Sequence, residues 1–204
     1  MKHIRLNLIP TIITLCVLGC GGVPPTYYYR IGLDDHRVEE QNNSTFIPVT
    51  LGIAQCTTDI LYESDKIVYR DSPYEVQFYH YRRWIAPPKK LVTEKIFEQF
   101  RSSGYFRKVV SLPAKVELDY ILKGRIEAFE EWDERNSWYG LVSVDFKLQN
   151  PKTREIVWEK TFSERTPAQK KEPVEVVKAI SQSLYKVIGN ALDEIKHNLR
   201  DYKI

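Results

Sequence analysis

The side chains that could carry catalytic chemistry in this 204-residue sequence are a few histidines and the acidic residues. Beyond the N-terminal segment the histidines are His36, His80 and His197. The sequence contains no serine-nucleophile, zinc-protease, dinucleotide, phosphate-loop or paired-cysteine motif. Any enzyme built from this chain would therefore have to use carboxylates alone. We predict no catalytic residue and a non-enzymatic protein.

Two acidic segments are the candidates for a metal site or an acid–base pair. Residues 34–36 (DDH) have side chains that can ligate a metal, but adjacent acids of this kind are more typical of a solvated loop. Residues 130–134 (EEWDE) are interpreted as the charged end of a hairpin rather than as an acid–base site. We predict no metal site and no bound cofactor.

The N-terminal segment contains a cysteine in a setting that indicates covalent modification. Lys2 and Arg5 precede an apolar run too short and too interrupted to cross ~30 Å of hydrocarbon, which is typical of a signal peptide, residues 1–19. Residues 17–20 (VLGC) resemble the lipobox of bacterial lipoproteins. The resemblance implies cleavage between Gly19 and Cys20, a diacylglycerol on the Cys20 sulfur and an acyl chain on its amine. Two or more such chains anchor a protein stably to a membrane.

The mature chain is expected to be nearly neutral and to lack disulfides. The whole sequence has 30 lysines and arginines against 27 acidic residues, and cleavage would remove Lys2 and Arg5, leaving 28 against 27. A nucleic-acid binder would show a stronger basic footprint, so no nucleic-acid partner is predicted. Once Cys16 is removed and Cys20 is modified, Cys56 has no partner for an intramolecular disulfide.

The length of the mature chain favours one domain close to the membrane. Removing residues 1–19 leaves 185 residues, enough for one sizeable core at 27–204. Residues 20–26 are then the lipidated N-terminus and a short linker. The six residues between Cys20 and Tyr27 can span at most ~20 Å. The domain should therefore lie near the lipid surface.

Hydrophobic periodicity predicts an α+β fold with two layers, a mainly antiparallel sheet packed by two helices. A helix of about sixteen residues should begin near Pro87 and end at Gly104, and a C-terminal helix of about 26 residues should begin at Pro173. Three strands near 119–163 should form an antiparallel meander. The predicted strands are 27–31, 47–55, 67–70, 75–81, 105–110, 119–129, 138–148 and 155–163.

A basic and aromatic segment around residues 79–90 is the candidate surface for a partner or for lipid. The lysines at the start of the predicted helix could meet phosphates or an acidic partner, or form an ordinary solvated cluster. The aromatic residues could equally be core beneath the helix, and the sequence does not separate these alternatives. The candidate residues are Tyr79, Tyr81, Arg82, Arg83, Trp84, Lys89 and Lys90.

The order of these features resembles the ABC-type transport auxiliary lipoproteins, the outer-membrane lipoprotein component of paraquat-inducible and Mce-type lipid transport systems. The resemblance extends over nearly the whole mature chain and departs from the family pattern at residues 60–62, where many relatives carry a proline-led segment. The segments that carry it are VLGC at 17–20, YYRI at 28–31, LGIAQC at 51–56, the run from 67 to 88, DYILKGRIEAF at 119–129 and VVKAISQSLYKVIGNAL in the C-terminal helix.

The resemblance implies a non-enzymatic protein that works beside an ABC permease, an ATPase and an Mce-domain subunit. Together these would move phospholipid or other apolar cargo between the inner and outer membranes. The resemblance also implies a homo-oligomer. Since Gly21 rather than aspartate follows Cys20, the outer membrane and its periplasmic face are the expected location.

Two alternatives stay open at this point. One is a lipoprotein of the outer-membrane or lipopolysaccharide assembly type, with a comparable domain but a different client. The other is a surface-attached hydrolase that uses carboxylates such as Asp35, Glu131 and Asp133.

Overall fold

The computed structural model describes residues 23–33 and 46–201. Within these residues nine strands form one curled sheet, and two helices pack against it. The helices are α1 (Pro88–Ser102) and α2 (Pro173–Asp201), and a short 3-10 helix spans Ile60–Tyr62. The strands are β1 (Tyr27–Tyr29), β2 (Ile47–Ile53), β3 (Thr57–Thr58), β4 (Lys66–Arg70), β5 (Gln77–Trp84), β6 (Phe106–Ser111), β7 (Tyr120–Asp133), β8 (Trp138–Gln149) and β9 (Ile156–Pro167).

Strand β7 is the strand around which the described sheet is organised. One edge of β7 pairs antiparallel with β8 along almost its whole length, and β8 pairs antiparallel with β9. The other edge of β7 pairs with three short strands in succession, β2, β3 and β4, all parallel to it. From there the sheet continues from β2 to β6 in one direction, and from β4 through β5 to β1 in the other.

The predicted α+β architecture with two layers and two helices is confirmed. The meander β7, β8, β9 contains the longest pairings of the described sheet, and its antiparallel direction is as predicted. The parallel pairings on the other edge of β7 add to the predicted sheet. Alternation of residues within a strand shows which face is buried, but it does not specify the direction of the neighbouring strand.

Helix α2 lies across β8 and β9 with an apolar stripe buried against them. Gly140 in β8 allows an unusually close approach, because a Cβ at this position would lie 2.2 Å from the backbone nitrogen of Ile180. The hydroxyl of Ser183 donates to the carbonyl oxygen of Gly140 at 2.8 Å and lies 2.8 Å from the hydroxyl oxygen of Thr166. The helix therefore rests directly on the strand backbone. The fully buried stripe includes Ile180, Val187, Ile188, Ala191 and Ile195.

Helix α1 begins at Pro88 and ends just before Gly104, as predicted from the two prolines and the glycine. Gly104 has φ +68°, a conformation that glycine adopts without the steric cost of a Cβ. The buried face of the helix includes Leu91, Val92, Ile96 and Phe100, and it packs against β6, β2 and β7. Among the described residues, no helix is both long enough and apolar enough to cross a membrane.

Candidate functional site

The predicted cleavage and lipid-attachment residues, Gly19 and Cys20, lie outside the described residues. The described chain begins at Val23, three residues after Cys20, and enters the sheet at Tyr27. Cleavage and lipid attachment therefore stay predictions. The remaining predicted site residues lie on β5 and at the start of α1.

The aromatic residues predicted for a surface divide between core and surface. Trp84 has no exposed area and packs against Phe129 of β7, with ring centroids 5.2 Å apart. Trp84 is therefore a core residue, which corrects its assignment to a surface, because this end of β5 lies between β1 and β4 and packs on the core. Tyr79 is half-buried and donates to Glu131. Tyr81 is 41% exposed and stays available at the surface.

Two of the predicted basic residues have carboxylate partners. Arg83 Nη1 donates to Asp65 Oδ1 at 2.8 Å, and Lys89 pairs with Glu63. Each pair is partly exposed to solvent, so its contribution to stability is small, about 0–1 kcal/mol. The pairs reduce the positive charge of the predicted basic cluster.

The other two predicted basic residues are not neutralised in this way. Arg82 lies over the ring of Tyr79, 5.6 Å from its centroid, and Lys90 is exposed on the first turn of α1. Neither makes an ion pair with a carboxylate among the described residues. Arg82 is close enough to Glu131 for its positive charge to lower the pKa of that carboxyl group in part. The structure therefore brings Tyr79 and Arg82 together and leaves Lys90 separate.

Two glutamates at the end of β7 are buried, and the sequence prediction is wrong for both. Glu130 is 2% exposed; its Oε2 accepts from Arg70 Nη2 at 2.7 Å and from the Tyr62 hydroxyl at 2.5 Å. Glu131 has no exposed area. They are not a solvated hairpin end, because β7 continues to Asp133 and β4 pairs with it at these positions.

Glu131 forms a second buried polar group with Tyr79 and Asp133. The Tyr79 hydroxyl lies 2.9 and 3.2 Å from the two carboxyl oxygens of Glu131. Burial raises the pKa of Glu131 well above its usual range, and the interaction with Asp133 raises it further. Burial also raises the pKa of Asp133. The raised pKa of Glu131, about 8, favours its protonated form at neutral pH.

A bulge in β7 explains how these carboxyl groups reach the interior. The pairing of β7 with β8 shifts register between Ile126 and Ala128. Before the bulge the buried positions alternate, whereas Phe129, Glu130 and Glu131 are consecutive buried residues after it. Bulges redirect side chains in this way. Periodicity alone could not reveal the burial, although the tyrosines and arginines of β4 and β5 are the sequence signal that suitable partners exist.

The chemistry open to this cluster is limited by its burial. A substrate could not contact Glu130 or Glu131 in this conformation, because both are enclosed by protein atoms. Their contacts join β4 and β5 to β7, which favours a structural role. A polar cleft of ≈ 780 Å³ borders the cluster and is lined in part by Asp71, Asp133 and Lys171. Within 23–33 and 46–201, no group of three or more histidine, cysteine or acidic side chains could hold a metal ion.

A groove of ≈ 250 Å³ between the two helices was not predicted from the sequence. Its apolar lining includes Ile31, Leu184 and Ile188, and polar side chains including Lys95, Glu98 and Gln99 also line it. Sequence periodicity identifies the apolar face of each helix but not the space that remains between two helices. The groove is therefore a property of the assembled fold.

Comparison with solved structures identifies the fold class. A crystal structure of a protein from Xanthomonas campestris superposes with a TM-score of 0.76 at 20% identity, covering 86% of this chain and 98% of that chain. A crystal structure of an uncharacterised protein superposes with a TM-score of 0.66 at 16% identity, covering 84% of this chain and 99% of that one. At these identities the likeness shows the fold alone. No curated protein matches the chain.

The family is shown by the sequence of the chain itself. This chain belongs to the ABC-type transport auxiliary lipoprotein component family, whose model matches residues 36–189. The family predicted from the sequence is thereby confirmed. The protein is an auxiliary lipoprotein component of ABC-type transport.

Proposed function

We propose that this protein is the lipid-anchored, non-catalytic auxiliary subunit of an Mce-type ABC transport system that moves phospholipid or other apolar cargo between the inner and outer membranes. Cys20 would carry the lipid, and the domain would stand at the periplasmic face of the outer membrane. Its partners would be an Mce-domain protein, a permease and an ATPase, and copies of itself.

The family match over residues 36–189 is the observation that carries this proposal. Two further observations support it. The lipobox-like residues 17–20 lie only a few residues before β1, so a lipid on Cys20 would hold the domain near a membrane. The buried carboxyl groups of β7 are enclosed and serve to join strands, which agrees with a non-catalytic role.

Replacing the proposed lipid-bearing cysteine tests the anchor. Mass analysis of the full-length protein should show a mature chain that begins at Cys20 and carries acyl chains. Cys20→Ala should leave an unacylated protein that no longer sediments with membranes and no longer supports lipid transport. The matched control is Cys56→Ala, since Cys56 is a buried cysteine of the core and should not affect anchoring. An unacylated wild-type protein would refute the proposal.

Cross-linking in membranes followed by purification tests the partners. Recovery of an Mce-domain protein together with its permease and ATPase would support the proposal. Recovery of a β-barrel assembly protein instead would refute it in favour of the outer-membrane assembly alternative.

The double variant Glu131→Gln, Asp133→Asn tests the non-catalytic part of the proposal. Because these carboxyl groups are assigned a structural role, the variant should keep its transport function when it is folded, as judged by its circular dichroism spectrum. A folded variant without function would instead support carboxylate chemistry.

A further inference from the structure

Exposed aromatic and apolar side chains collect where the chain enters the domain. Tyr27 and Tyr28 of β1 are 54% and 63% exposed, Tyr81 of β5 is 41% exposed, and Ile85 directly after β5 is 63% exposed. Arg30, which follows β1, is also exposed. We call these five residues the edge patch.

Strand pairing places the members of the edge patch beside one another. Strand β1 pairs parallel with β5, so that Tyr27 lies beside Arg82 and Tyr28 lies beside Arg83. The backbone nitrogen of Ile85 donates to the carbonyl oxygen of Tyr29 at 2.7 Å, which holds Ile85 at the end of β1. In the described sheet β1 is an edge strand that pairs only with β5. The patch therefore lies along one edge of the described sheet, with the consecutive residues Tyr27 and Tyr28 on opposite faces of that edge.

The charges along this strip favour an anionic surface. Arg30 within the patch is exposed and makes no ion pair with a carboxylate in the described part of the chain, whereas Arg82 beside Tyr27 is partly buried over the Tyr79 ring. Arginine binds phosphate through a planar, multidentate group of donors. Tyrosine has an apolar ring and a polar hydroxyl, and it is enriched where a membrane meets water. Tyrosines beside the exposed guanidinium of Arg30 therefore match the chemistry of a phospholipid headgroup layer.

The short connection to Cys20 adds a geometric argument, which rests on the anchor proposed above. Six residues separate Cys20 from Tyr27 and span at most ~20 Å when fully extended. The edge patch begins at the residue where this connection joins the sheet. It is therefore the part of the folded domain that the anchor holds nearest to the lipid.

We propose that the edge patch lies in the headgroup layer of an anionic phospholipid membrane. The tyrosines and Ile85 enter the boundary between headgroups and acyl chains, and Arg30 binds lipid phosphate. A second copy of the chain is the weaker candidate for an occupant, because a stable protein interface uses about 20–30 residues a side and this strip is much smaller. The patch would set the orientation of the domain on the membrane.

Single introduced cysteines can report this orientation, because the native cysteines should not react. Cys56 is 3% exposed, and burial raises the pKa of its thiol to about 11. Acylation would block Cys20. Full-length acylated Tyr28→Cys is therefore labelled with a thiol-reactive fluorophore and placed in vesicles of phosphatidylethanolamine and phosphatidylglycerol that contain a lipid with a quencher near its headgroup.

Two further variants complete the design. Tyr74→Cys is the matched control, because Tyr74 is 96% exposed and precedes β5, at the end of that strand away from Tyr28. Ile85→Cys is a second probe in the patch that guards against a folding defect specific to Tyr28→Cys. Both are labelled and reconstituted in the same way.

We expect the probes at positions 28 and 85 to be quenched at least about twofold more strongly than the probe at position 74, since interfacial groups lie about 5–10 Å into the headgroup boundary. Equal quenching at all three positions, or none at the patch, would overturn the proposal. If Cys20 is acylated and the vesicles are bound but the patch is not quenched, this inference fails and the proposed anchor stands. If Cys20 is not acylated and vesicles are not bound, both fail.

Discussion

The two edges of β7 are stabilised by different physical means. On one edge, β8, β9 and helix α2 bury apolar side chains, and the helix rests on the backbone of Gly140. On the other edge, the 3-10 helix, β4 and β5 bring Tyr62, Arg70 and Tyr79 to two buried glutamates, Glu130 and Glu131. Apolar packing depends little on pH, whereas buried carboxyl groups depend on both their partners and their protonation. The two regions should therefore respond to different perturbations.

The largest effect is expected at Gly140, where the apolar region is packed most tightly. Gly140→Val should lower the free energy of unfolding by more than about 4 kcal/mol, because its Cβ would collide with the backbone of α2. Urea unfolding followed by circular dichroism measures the change. Gly32→Ala is the control and should have little effect, since a Cβ there meets no atom within 4 Å. Similar losses in the two variants would contradict the close approach.

The next effect concerns the ion pair of the polar region. Arg70→Met should cost about 3 kcal/mol, because it leaves the carboxylate of Glu130 buried without its cation. Arg83→Met removes the partly exposed pair with Asp65 and should cost less than about 1 kcal/mol. The double variant Arg70→Met, Glu130→Gln should recover part of the loss, because no buried charge remains unpaired. Chemical unfolding at pH 7 measures the stability of each variant. Equal losses in Arg70→Met and Arg83→Met would contradict the prediction.

A smaller effect is expected for Glu131→Gln, which should increase the stability of the protein rather than decrease it. The pKa of Glu131 is raised in the fold, so the unfolded chain releases this proton at lower pH than the folded chain does. Stability conferred by the protonated group is then complete below its unfolded pKa, near pH 4.5, and falls as the pH rises toward the raised value. Glu131→Gln keeps an acceptor for Tyr79 and removes this loss. It should stabilise the protein by about 2 kcal/mol at pH 8.

Thermal unfolding of this variant and the wild type at pH 5 and pH 8 gives the test. The advantage of Glu131→Gln should shrink at pH 5, because this pH is close to the unfolded pKa and far below the raised pKa of the folded state, so that little of the stability has yet been lost. If the advantage of Glu131→Gln is the same at both pH values, the pKa of Glu131 is not raised in the folded protein. Gln182→Glu, at an exposed position of α2, is a surface control with the charge change reversed.

The smallest expected signal is the reactivity of the Cys56 thiol in the folded protein. Cys56 lies beneath α1 in the apolar part of the core. Its thiol pKa of about 11 and its burial should prevent reaction with a thiol reagent at pH 8 in the folded state. Full reaction is expected in urea. Spectrophotometric thiol assay of the purified protein measures both, and rapid labelling without denaturant would show that this region opens.

The difference between the two regions also explains which features could be predicted from sequence. The stripe of α2 and the alternation of β8 are periodic, so the sequence identified both the elements and their buried faces. The burial of Glu130 and Glu131 depends on a bulge and on partners from the 3-10 helix, β4 and β5, which have no periodic signature. Trp84 was ambiguous for a similar reason, since an aromatic residue next to arginines fits either a surface or a core.

The candidate site was predicted less well than the fold. The sequence drew attention to residues 79–90, and the structure keeps Tyr81 and Arg82 near the surface while it moves Trp84 into the core. The edge patch also needs Tyr27 and Tyr28, which are more than fifty residues away and join β5 only through a parallel pairing. Contacts between distant segments of this kind cannot be read from local spacing.

The position of β7 has a consequence for how the domain opens. Because β7 donates and accepts backbone hydrogen bonds toward both regions, neither region can separate from the other without disrupting that strand. Its amide hydrogens should consequently be among the slowest to exchange with deuterium, and they should report global unfolding rather than local fraying. If either region unfolds, the other should unfold with it, in one cooperative transition.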